Sequence, residues 1–352
     1  MEYIACITDS LKTVDEHEIE YIDAFSRPDI FFGVPFFGGD YFSFSKFSFK
    51  TRCELMSTMG DNVRKEFLAL EKAASGCRIR LRTNSNKIIF KIDLKRKWDY
   101  QRMNLWNSSG FDVYSVDQHK YTHKTIFAPE SGKKLFAESI RNTEGDLCIF
   151  LPLYNEILSM YIGIKKGSYL ESVPYEKKLP ILFYGNSITQ GAAASRSGNC
   201  FCNMVSRNLD CDIINFSISS CCKGLLSVAE TIGKLNCTAI VIDYTRNAFS
   251  VSELEKTYEK FYREIRSYHA NVPIILMTTA NFNNWTAYYE YDIVVKNTYE
   301  KALNMGEQVY LLDQKAAFKN YDYDLIAIDG MHYTDLGMKI ISDEICNILA
   351  KL

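Results

Sequence analysis

Hydrophobic and polar residues alternate with a period of two in the first half of the chain. The alternation is clearest in three runs, at residues 78–82, 87–92 and 147–151. This period is typical of β-strands that bury one face, and turn-forming residues such as those at 83–86 separate the runs. No long helical stretch interrupts the region 77–154. The pattern therefore predicts an antiparallel β-sandwich.

From Pro180 onward, short apolar runs alternate with helical segments. One helix is clear in detail, because Ser252 and Glu255 form a capping box ahead of apolar residues at three- and four-residue steps up to Tyr268. Alternation of strands and helices predicts a parallel sheet covered on both faces. The five predicted strands are residues 181–184, 212–216, 239–243, 273–277 and 309–312.

The two patterns predict two domains. A chain of 352 residues is about twice the commonest domain size. The patterns change within residues 165–178, which contain Gly, Ser, Pro and charged residues. We therefore expect an antiparallel β-sandwich over residues 1–170 and an α/β domain with three α/β/α layers over 178–352. Before the first sandwich strand, only residues 55–70 form an amphipathic stretch.

Composition and charge narrow the possible partners. The chain is 47% hydrophobic and 24% charged, as in ordinary globular proteins, and its formal net charge is -2. This charge gives no general attraction to nucleic acid or anionic membranes, so we expect neither as a partner and a neutral or mildly charged small molecule instead. The N-terminal residues lack the basic start and apolar run of a signal peptide, and no later run is long enough to predict a membrane span. We therefore expect a cytoplasmic location. The sequence does not indicate the oligomeric state.

The cysteines do not suggest a metal site. The chain has eleven, an odd number, and none shows the paired C-x-x-C spacing of zinc ligands. We expect reduced thiols.

Polar side chains follow three of the predicted strands. Ser187 lies in a Gly-rich turn after the first strand, Asn247 follows the third, and Asp329 and His332 lie beyond the fifth. The carboxyl ends of parallel strands share one edge of a sheet, where ligand sites gather. We expect these four residues to converge there.

Their chemistry is that of a serine hydrolase. A serine hydroxyl is a weak nucleophile until a base accepts its proton, and the imidazole of His332 suits that role. Asp329 stands close enough to hold the imidazole ring and stabilise its positive charge. Backbone N–H groups at the Ser187 turn and the Asn247 amide are candidate donors to the oxyanion.

These segments, in this order, resemble the four blocks of the SGNH or GDSL hydrolase family. The resemblance implies a flavodoxin-like parallel sheet, with the family's oxyanion glycine replaced by Ser220. That donor is a backbone N–H, so a serine there serves if its dihedral angles permit. The blocks are GNSITQG at 185–191, where many members have Asp at the position of Asn186, NFSISS at 215–220, Asn247, and DGMH at 329–332.

The first half also resembles a known module. SGFDVY at 109–114 is similar to the G-x-D-L-Y signature of the jelly-roll-like β-sandwich that precedes some of these hydrolases, and FLPLYN at 150–155 is similar to its closing strand. Such two-domain members resemble carbohydrate esterases that remove acetyl groups. The resemblance implies an esterase acting on short acyl groups, with acetyl on a carbohydrate as first choice. Such an esterase acts on a small-molecule or oligosaccharide ester and requires no metal or organic cofactor.

Two further residues are candidates for substrate contact. Arg196 lies in the loop after the nucleophile, where it either touches substrate or is solvated. Trp285 follows the fourth strand beside Tyr288 and Tyr289, in a loop where aromatic rings either stack on a sugar or pack.

Two other functions remain open. An acyltransferase would pass the same acyl group to a sugar hydroxyl. A non-catalytic carbohydrate-binding protein is suggested by Ser217 and Ser220, where glycines are expected.

Overall fold

The computed structural model describes residues 16–35, 42–97, 103–280 and 287–352, with the side chains of 287 and 288 left out. Within these residues it contains two antiparallel sheets, one parallel sheet and the helices that connect and cover them.

The antiparallel strands are β1 (Ile19–Asp23), β2 (Phe31–Phe32), β3 (Arg78–Thr83), β4 (Lys87–Leu94), β5 (Phe111–Asp117), β6 (Lys120–Phe127), β7 (Leu135–Arg141), β8 (Gly145–Phe150), β9 (Ile157–Lys165) and β10 (Leu170–Ser172). The parallel strands are β11 (Lys177–Gly185), β12 (Cys211–Asn215), β13 (Ala239–Asp243), β14 (Ile274–Met277) and β15 (Val309–Leu312).

The helices are α1 (Phe49–Thr58), α2 (Asp61–Leu70), α3 (Leu105–Ser108), α4 (Ser187–Gln190), α5 (Phe201–Leu209), α6 (Leu226–Gly233), α7 (Val251–Tyr268), α8 (Ala287–Asn304), α9 (Gln314–Phe318), α10 (Tyr323–Ile326) and α11 (Asp335–Leu349).

The first two sheets form the predicted antiparallel sandwich. One has the order β1-β9-β4-β7, and the other β10-β3-β8-β5-β6 with β2 beside β3. Alternate residues such as Ile79 and Leu81 bury their side chains in the core between the sheets. Arg78 and Arg80 alternate with them and are also buried, because the outer face of β3 packs on the second domain. Arg80 Nη1 there lies 2.7 Å from Asp210 Oδ1.

The third sheet confirms the predicted α/β fold. Its strands run parallel in the order β12-β11-β13-β14-β15, the flavodoxin-like order. The chain moves one way from β11 to β12 and the opposite way afterwards, so right-handed crossovers put α5 on one face and α6, α7 and α8 on the other. Strand order reverses between β11 and β13, which is where ligands bind in such sheets.

The hydrophobic core of the α/β domain includes side chains from the first half of the chain. Helices α1 and α2 precede the sandwich strands in sequence, yet Leu55, Phe67 and Leu70 pack in the core of the α/β domain. Leu153 and Tyr154, from the end of the sandwich, join the same cluster. Apolar side chains from before residue 170 therefore pack directly against those from after it.

Helix α7 begins earlier than the sequence pattern suggested. Its N-cap is Ser250, whose Oγ accepts a hydrogen bond from the N–H of Glu253 at 3.2 Å. The predicted capping box on Ser252 and Glu255 is therefore wrong by two residues. The same S-x-x-E spacing occurs at both positions, and apolar Val251 already belongs to the helix.

Two findings concern the sequence-based expectations about membranes and cysteines. No helix in the described part of the chain is both long and apolar enough to cross a bilayer. The ten cysteines that lie within the described residues carry free thiols.

Candidate active site

The turn after β11 presents Ser187 at the switch point of the sheet. Asn186 caps α4, because its Oδ1 accepts a hydrogen bond from the N–H of Ile188 at 2.8 Å. The Nδ2 of Asn186 donates to the carbonyl oxygen of Asp243 at 2.7 Å, and its backbone N–H donates to the same oxygen. A carboxylate at position 186 has no proton for the Nδ2 contact. Asparagine therefore suits the turn that ties β11 to β13.

The structure brings Ser187, His332 and Asp329 into one hydrogen-bonded chain. Ser187 Oγ lies 2.8 Å from His332 Nε2, and His332 Nδ1 lies 2.8 Å from Asp329 Oδ2. Because an ionised carboxylate only accepts hydrogen bonds, the proton on the ring belongs on Nδ1, which leaves Nε2 as acceptor for the hydroxyl proton. This geometry is the one in which a base, oriented by a third group, can activate a serine.

Asp329 is held as an anion. Desolvation acts to raise its pKa, but hydrogen bonds from the backbone and side chain of His332 outweigh it, and the pKa lies below the ordinary value. Its Oδ1 accepts the N–H of His332 at 2.8 Å and that of Met331 at 3.0 Å. The carboxylate therefore both orders its own loop and stabilises a protonated imidazole.

A second carboxylate joins the histidine loop to the nucleophile loop. Asp335, in the first turn of α11, accepts the N–H of Ser195 at 2.7 Å and the Nδ2 of Asn199 at 2.7 Å. Ser195 Oγ also donates to it. These bonds fix the residues after α4 to the helix that follows His332. The sequence pattern did not identify Asp335 as a site residue, although it shows that Asp335 lies at the start of a helix shortly after DGMH.

Asn247 has an unused donor. It ends the short turn Thr245–Asn247 after β13. Its Nδ2 is buried and has no hydrogen-bond partner among the described residues. A buried polar atom without a partner is uncommon and often marks a functional site.

Ser220 adopts the backbone conformation that usually favours glycine. Its φ is +60°, in the left-handed region, which costs a side chain-bearing residue about 1–2 kcal/mol. Ser220 therefore adopts, at the position of the family's oxyanion glycine, a backbone conformation that glycine adopts without strain. Ser220 and Asn247 line the same cavity as Ser187.

That cavity has a volume of about 530 Å³ and lies between the two halves of the chain. The catalytic loops supply Ser187, Ser219, Ser220, Arg246, Asn247, Asp329 and His332. The opposite wall comes from the first half of the chain, with Glu66, Ala69 and Leu70 of α2, together with Arg96, Met103 and Tyr154. The N-terminal half therefore forms part of the site.

Tyr154 contacts the main chain of Ser187 and the side chain of Ser219. Its hydroxyl donates to the carbonyl oxygen of Ser187 at 3.2 Å and lies 2.8 Å from Ser219 Oγ. Burial raises the pKa of Tyr154, so the phenol stays protonated. Gln190 bridges the same region, since it donates to the Leu153 carbonyl and accepts the Ser219 N–H. The FLPLYN motif is the sequence signal for this contact, but the motif alone does not give its role.

Asp243 lies beneath the nucleophile turn. It is buried, and its carboxylate accepts hydrogen bonds from Thr189 Oγ1 at 2.8 Å and Gln314 Nε2 at 3.3 Å. Desolvation raises its pKa to about 7, against the opposing effect of Thr189.

The structure replaces the predicted substrate contact of Arg196 with an interdomain ion pair. Its Nη1 lies 2.8 Å from both carboxylate oxygens of Asp112 and 2.9 Å from the Tyr114 hydroxyl. It does not line the catalytic cavity. Asp112 is fully buried, and its ion pair with Arg196 compensates part of the cost of burying its charge.

Trp285 and the side chain of Tyr288 lie outside the described residues. The neighbouring Tyr289 is 67% exposed on α8.

Two family profiles match the chain. The profile of the GDSL-like lipase/acylhydrolase family matches residues 177–350. The GxDLY profile, described as the N-terminus of SGNH-hydrolase-type esterases, matches residues 53–170. No curated protein sequence is close enough to count as a relative.

Several solved structures share the fold. A protein from Bacteroides ovatus described as a GDSL-like lipase is 23% identical, with a TM-score of 0.77 over 95% of this chain and 97% of its own. The salicylyl-acyltransferase SsfX3 from a tetracycline biosynthetic pathway is 15% identical, with a TM-score of 0.76 over the same shares.

A family two carbohydrate esterase from Clostridium thermocellum, solved in complex with cellohexaose, is 15% identical, with a TM-score of 0.56 over 80% of this chain and 94% of its own. At these identities the likeness establishes the fold. With the two profiles, which between them cover most of the chain, it leads to one conclusion: this protein belongs to the SGNH/GDSL hydrolase family, in the form that carries a GxDLY N-terminal module.

Proposed function

We propose that this protein is a serine esterase that hydrolyses short acyl esters, acetyl esters of carbohydrates above all, with Ser187, His332 and Asp329 as catalytic triad. The observation that carries the proposal is the continuous hydrogen-bonded chain from Ser187 Oγ through His332 to Asp329. This chain opens into a cavity large enough for a small ester.

The reaction has two halves. Ser187 Oγ attacks the acyl carbon while His332 Nε2 takes the hydroxyl proton, and the carbonyl oxygen becomes an oxyanion. The Asn247 amide and the Ser220 N–H donate to that oxygen. The bond to the leaving alcohol then breaks, and the alcohol oxygen takes the proton from His332. Water then attacks the acyl carbon of acyl-Ser187 while one of its protons passes to His332 Nε2. The bond between the acyl carbon and Ser187 Oγ breaks, Oγ takes that proton from His332, and the acid leaves.

The cavity wall favours an alcohol with many hydroxyl groups. Glu66, Arg96 and Arg246 border it with charged side chains, which exchange hydrogen bonds with a sugar more readily than with an acyl chain of many carbons. The family two carbohydrate esterases, which share the fold, point to the same class of substrate.

Acyl transfer is the second candidate function. The structure of a salicylyl-acyltransferase aligns with nearly the whole chain at a TM-score of 0.76. An acyltransferase would form the same acyl-Ser187 but pass the acyl group to a second alcohol. We expect hydrolysis to predominate. The test measures acetate release from acetylated saccharides with and without an added saccharide acceptor; formation of a new ester at the expense of acetate would favour the transferase.

Replacement of either central residue tests the proposal. We expect Ser187→Ala and His332→Ala each to lower the kcat for a short-chain acetyl ester by about 10³-fold or more, because each removes the nucleophile or its base. Labelling of the wild type by a fluorophosphonate probe should modify Ser187.

The control is Ser57→Ala, on the exposed side of α1. It should keep wild-type turnover and wild-type labelling. Turnover in Ser187→Ala equal to that of the wild type would end the triad assignment. An unlabelled wild type without ester turnover would favour the carbohydrate-binding alternative.

A further inference from the structure

Lys223 joins the two segments that carry the oxyanion donors. It follows Ser220 by three residues, and its Nζ donates a hydrogen bond to the backbone carbonyl oxygen of Asn247. The same ammonium lies 3.5 Å from the ring centroid of Phe249, two residues after Asn247. One side chain thus links the loop after β12 to the turn after β13.

Asn247 depends on its backbone for the position of its amide. Its side-chain nitrogen has no hydrogen-bond partner among the described residues. Its backbone N–H donates to the Tyr244 carbonyl at 2.9 Å, which holds one end of the residue. The bond from Lys223 to the carbonyl holds the other end. An amide whose own nitrogen is reserved for the oxyanion is therefore oriented through the main chain.

The base of Lys223 is itself fixed. The N–H of Gly224 donates to the Tyr184 hydroxyl at 3.0 Å. Gly224 has a φ of +71°, and a Cβ there would lie 2.2 Å from the Tyr244 hydroxyl oxygen, so the loop packs closely on the segment before Asn247. A lysine that leaves a rigid loop holds its target more firmly than one on a mobile loop.

Among the described residues, the ammonium of Lys223 is not paired with a carboxylate, although the charge of Glu253 acts on it. Within the described residues it forms no ion pair or hydrogen bond with Asp or Glu. Desolvation lowers its pKa. The polar contact that the described residues give this ammonium is the backbone carbonyl oxygen of Asn247.

We propose that Lys223 is a positioning residue for the oxyanion hole, which acts on the reaction by holding Asn247. This inference rests on the proposed esterase function. It predicts a loss that appears in the transition state and not in ground-state binding.

The decisive variant is Lys223→Met, which keeps the length and apolar stem of the side chain but cannot donate. We expect kcat for 4-nitrophenyl acetate to fall about tenfold, less than the 10²–10³ for complete loss of an oxyanion donor, with KM changed less than about twofold. The melting temperature should stay close to that of the wild type. Lys223→Arg, which retains the donor and charge, should recover most of the loss.

Lys256→Met is the matched control. Lys256 lines a small cavity of about 230 Å³ together with Lys223 and Phe249. Unlike Lys223, it donates no hydrogen bond to Asn247. We expect wild-type kcat in this variant. A similar loss in Lys256→Met would mean that any change in local charge lowers turnover, and it would overturn the proposal.

A double-mutant cycle separates positioning from general damage. Asn247→Ala alone should lower kcat on the order of 10²-fold. In that background Lys223→Met should change kcat less than about twofold, because the side-chain amide that Lys223 positions has gone, although the backbone carbonyl of residue 247 remains. Additive losses would overturn the inference, as would wild-type kcat in Lys223→Met. Either result leaves the esterase proposal intact if Ser187→Ala is inactive. A wild type with neither turnover nor Ser187 labelling overturns both.

Discussion

At the scale of single residues, Asp243 is a buried carboxyl group whose pKa is raised. It occupies the last position of β13, where the neighbouring loops carry Ser187 and Asn247, so the strand that positions the site buries a carboxyl group. Hydrogen bonds from Thr189 and Gln314 partly offset the cost of burial, yet desolvation raises its pKa to about 7. Between about pH 4 and pH 7, the folded protein therefore keeps a proton on Asp243 that the unfolded chain has released.

This proton gives a pH dependence with a definite sign. The folded pKa is above the ordinary value, so the contribution of Asp243 to stability is complete below about pH 4 and is lost as pH rises to about 7. The full change is about 4 kcal/mol on the scale of 1.36 kcal/mol per pKa unit. We expect the stability difference between wild type and Asp243→Asn to shift in favour of the variant between pH 5 and pH 7.5, as measured by urea unfolding.

Asp61→Asn provides the comparison, because Asp61 is 88% exposed on α2. Its stability should follow the wild-type curve at both pH values. Parallel curves for wild type and Asp243→Asn would contradict the raised pKa of Asp243.

At the scale of elements, the G-x-D-L-Y-like segment serves as a clamp between the domains. Asp112 and Tyr114 of β5 both contact Arg196, and Asp112 also accepts the N–H of Gly198 at 2.9 Å. A Cβ on Gly198 would lie 2.3 Å from the Asp112 carboxylate, so only glycine permits this approach. β5 thus fixes the loop that follows the nucleophile helix α4.

Breaking this clamp should reduce stability. We expect Arg196→Met to lower the free energy of unfolding by about 3 kcal/mol, because it removes the cation closest to the buried carboxylate of Asp112. Chemical denaturation provides the measurement. Any change in turnover should appear in kcat, because the variant loosens the loop after Ser187. KM should change little.

Arg82→Met is the control for the clamp. Arg82 pairs with Asp146 on the surface of the same sheet, with its side chain 52% exposed, and such pairs contribute about 1 kcal/mol or less. A large rise in KM for Arg196→Met at unchanged stability would instead restore the substrate contact first predicted for Arg196.

At the scale of the whole molecule, the cavity beside Ser187 exists because the two halves pack together. Helix α2 and Tyr154 come from the first half and form one wall, while Ser187, Asn247 and His332 come from the second. The core of the α/β domain includes side chains from α1, α2 and the end of the sandwich. Neither half can open without exposing apolar surface of the other.

We therefore expect the protein to unfold in a single cooperative transition. Hydrogen exchange followed by mass spectrometry in increasing urea should show peptides from β4 and from β13 losing protection at the same midpoint, because side chains of the first half complete the core of the α/β domain and their loss exposes apolar surface on both halves. Two well-separated midpoints, with the sandwich still protected after the parallel sheet has exchanged, would show that the halves are independent folding units.

Much of the fold was predictable because its signals are local. Each parallel strand is an apolar run between loops, and the strand at 239–243 has the predicted bounds. Period-two alternation likewise located β3, β4 and β8. The capping box of α7 was misplaced because two overlapping S-x-x-E pairs satisfy the same rule, and only the backbone shows which serine lies outside the helix.

The sequence by itself determined the order of the chemical groups, namely a serine after the first parallel strand, an asparagine after the third and an Asp–His pair beyond the fifth. Parallel strands bring such residues to one edge, so their convergence follows from the pattern. Only the tertiary structure decided that Arg196 pairs with Asp112, that Tyr154 supports Ser187 and that Lys223 holds Asn247. These contacts join segments far apart in the chain, and no local period encodes which surfaces meet when the two halves pack.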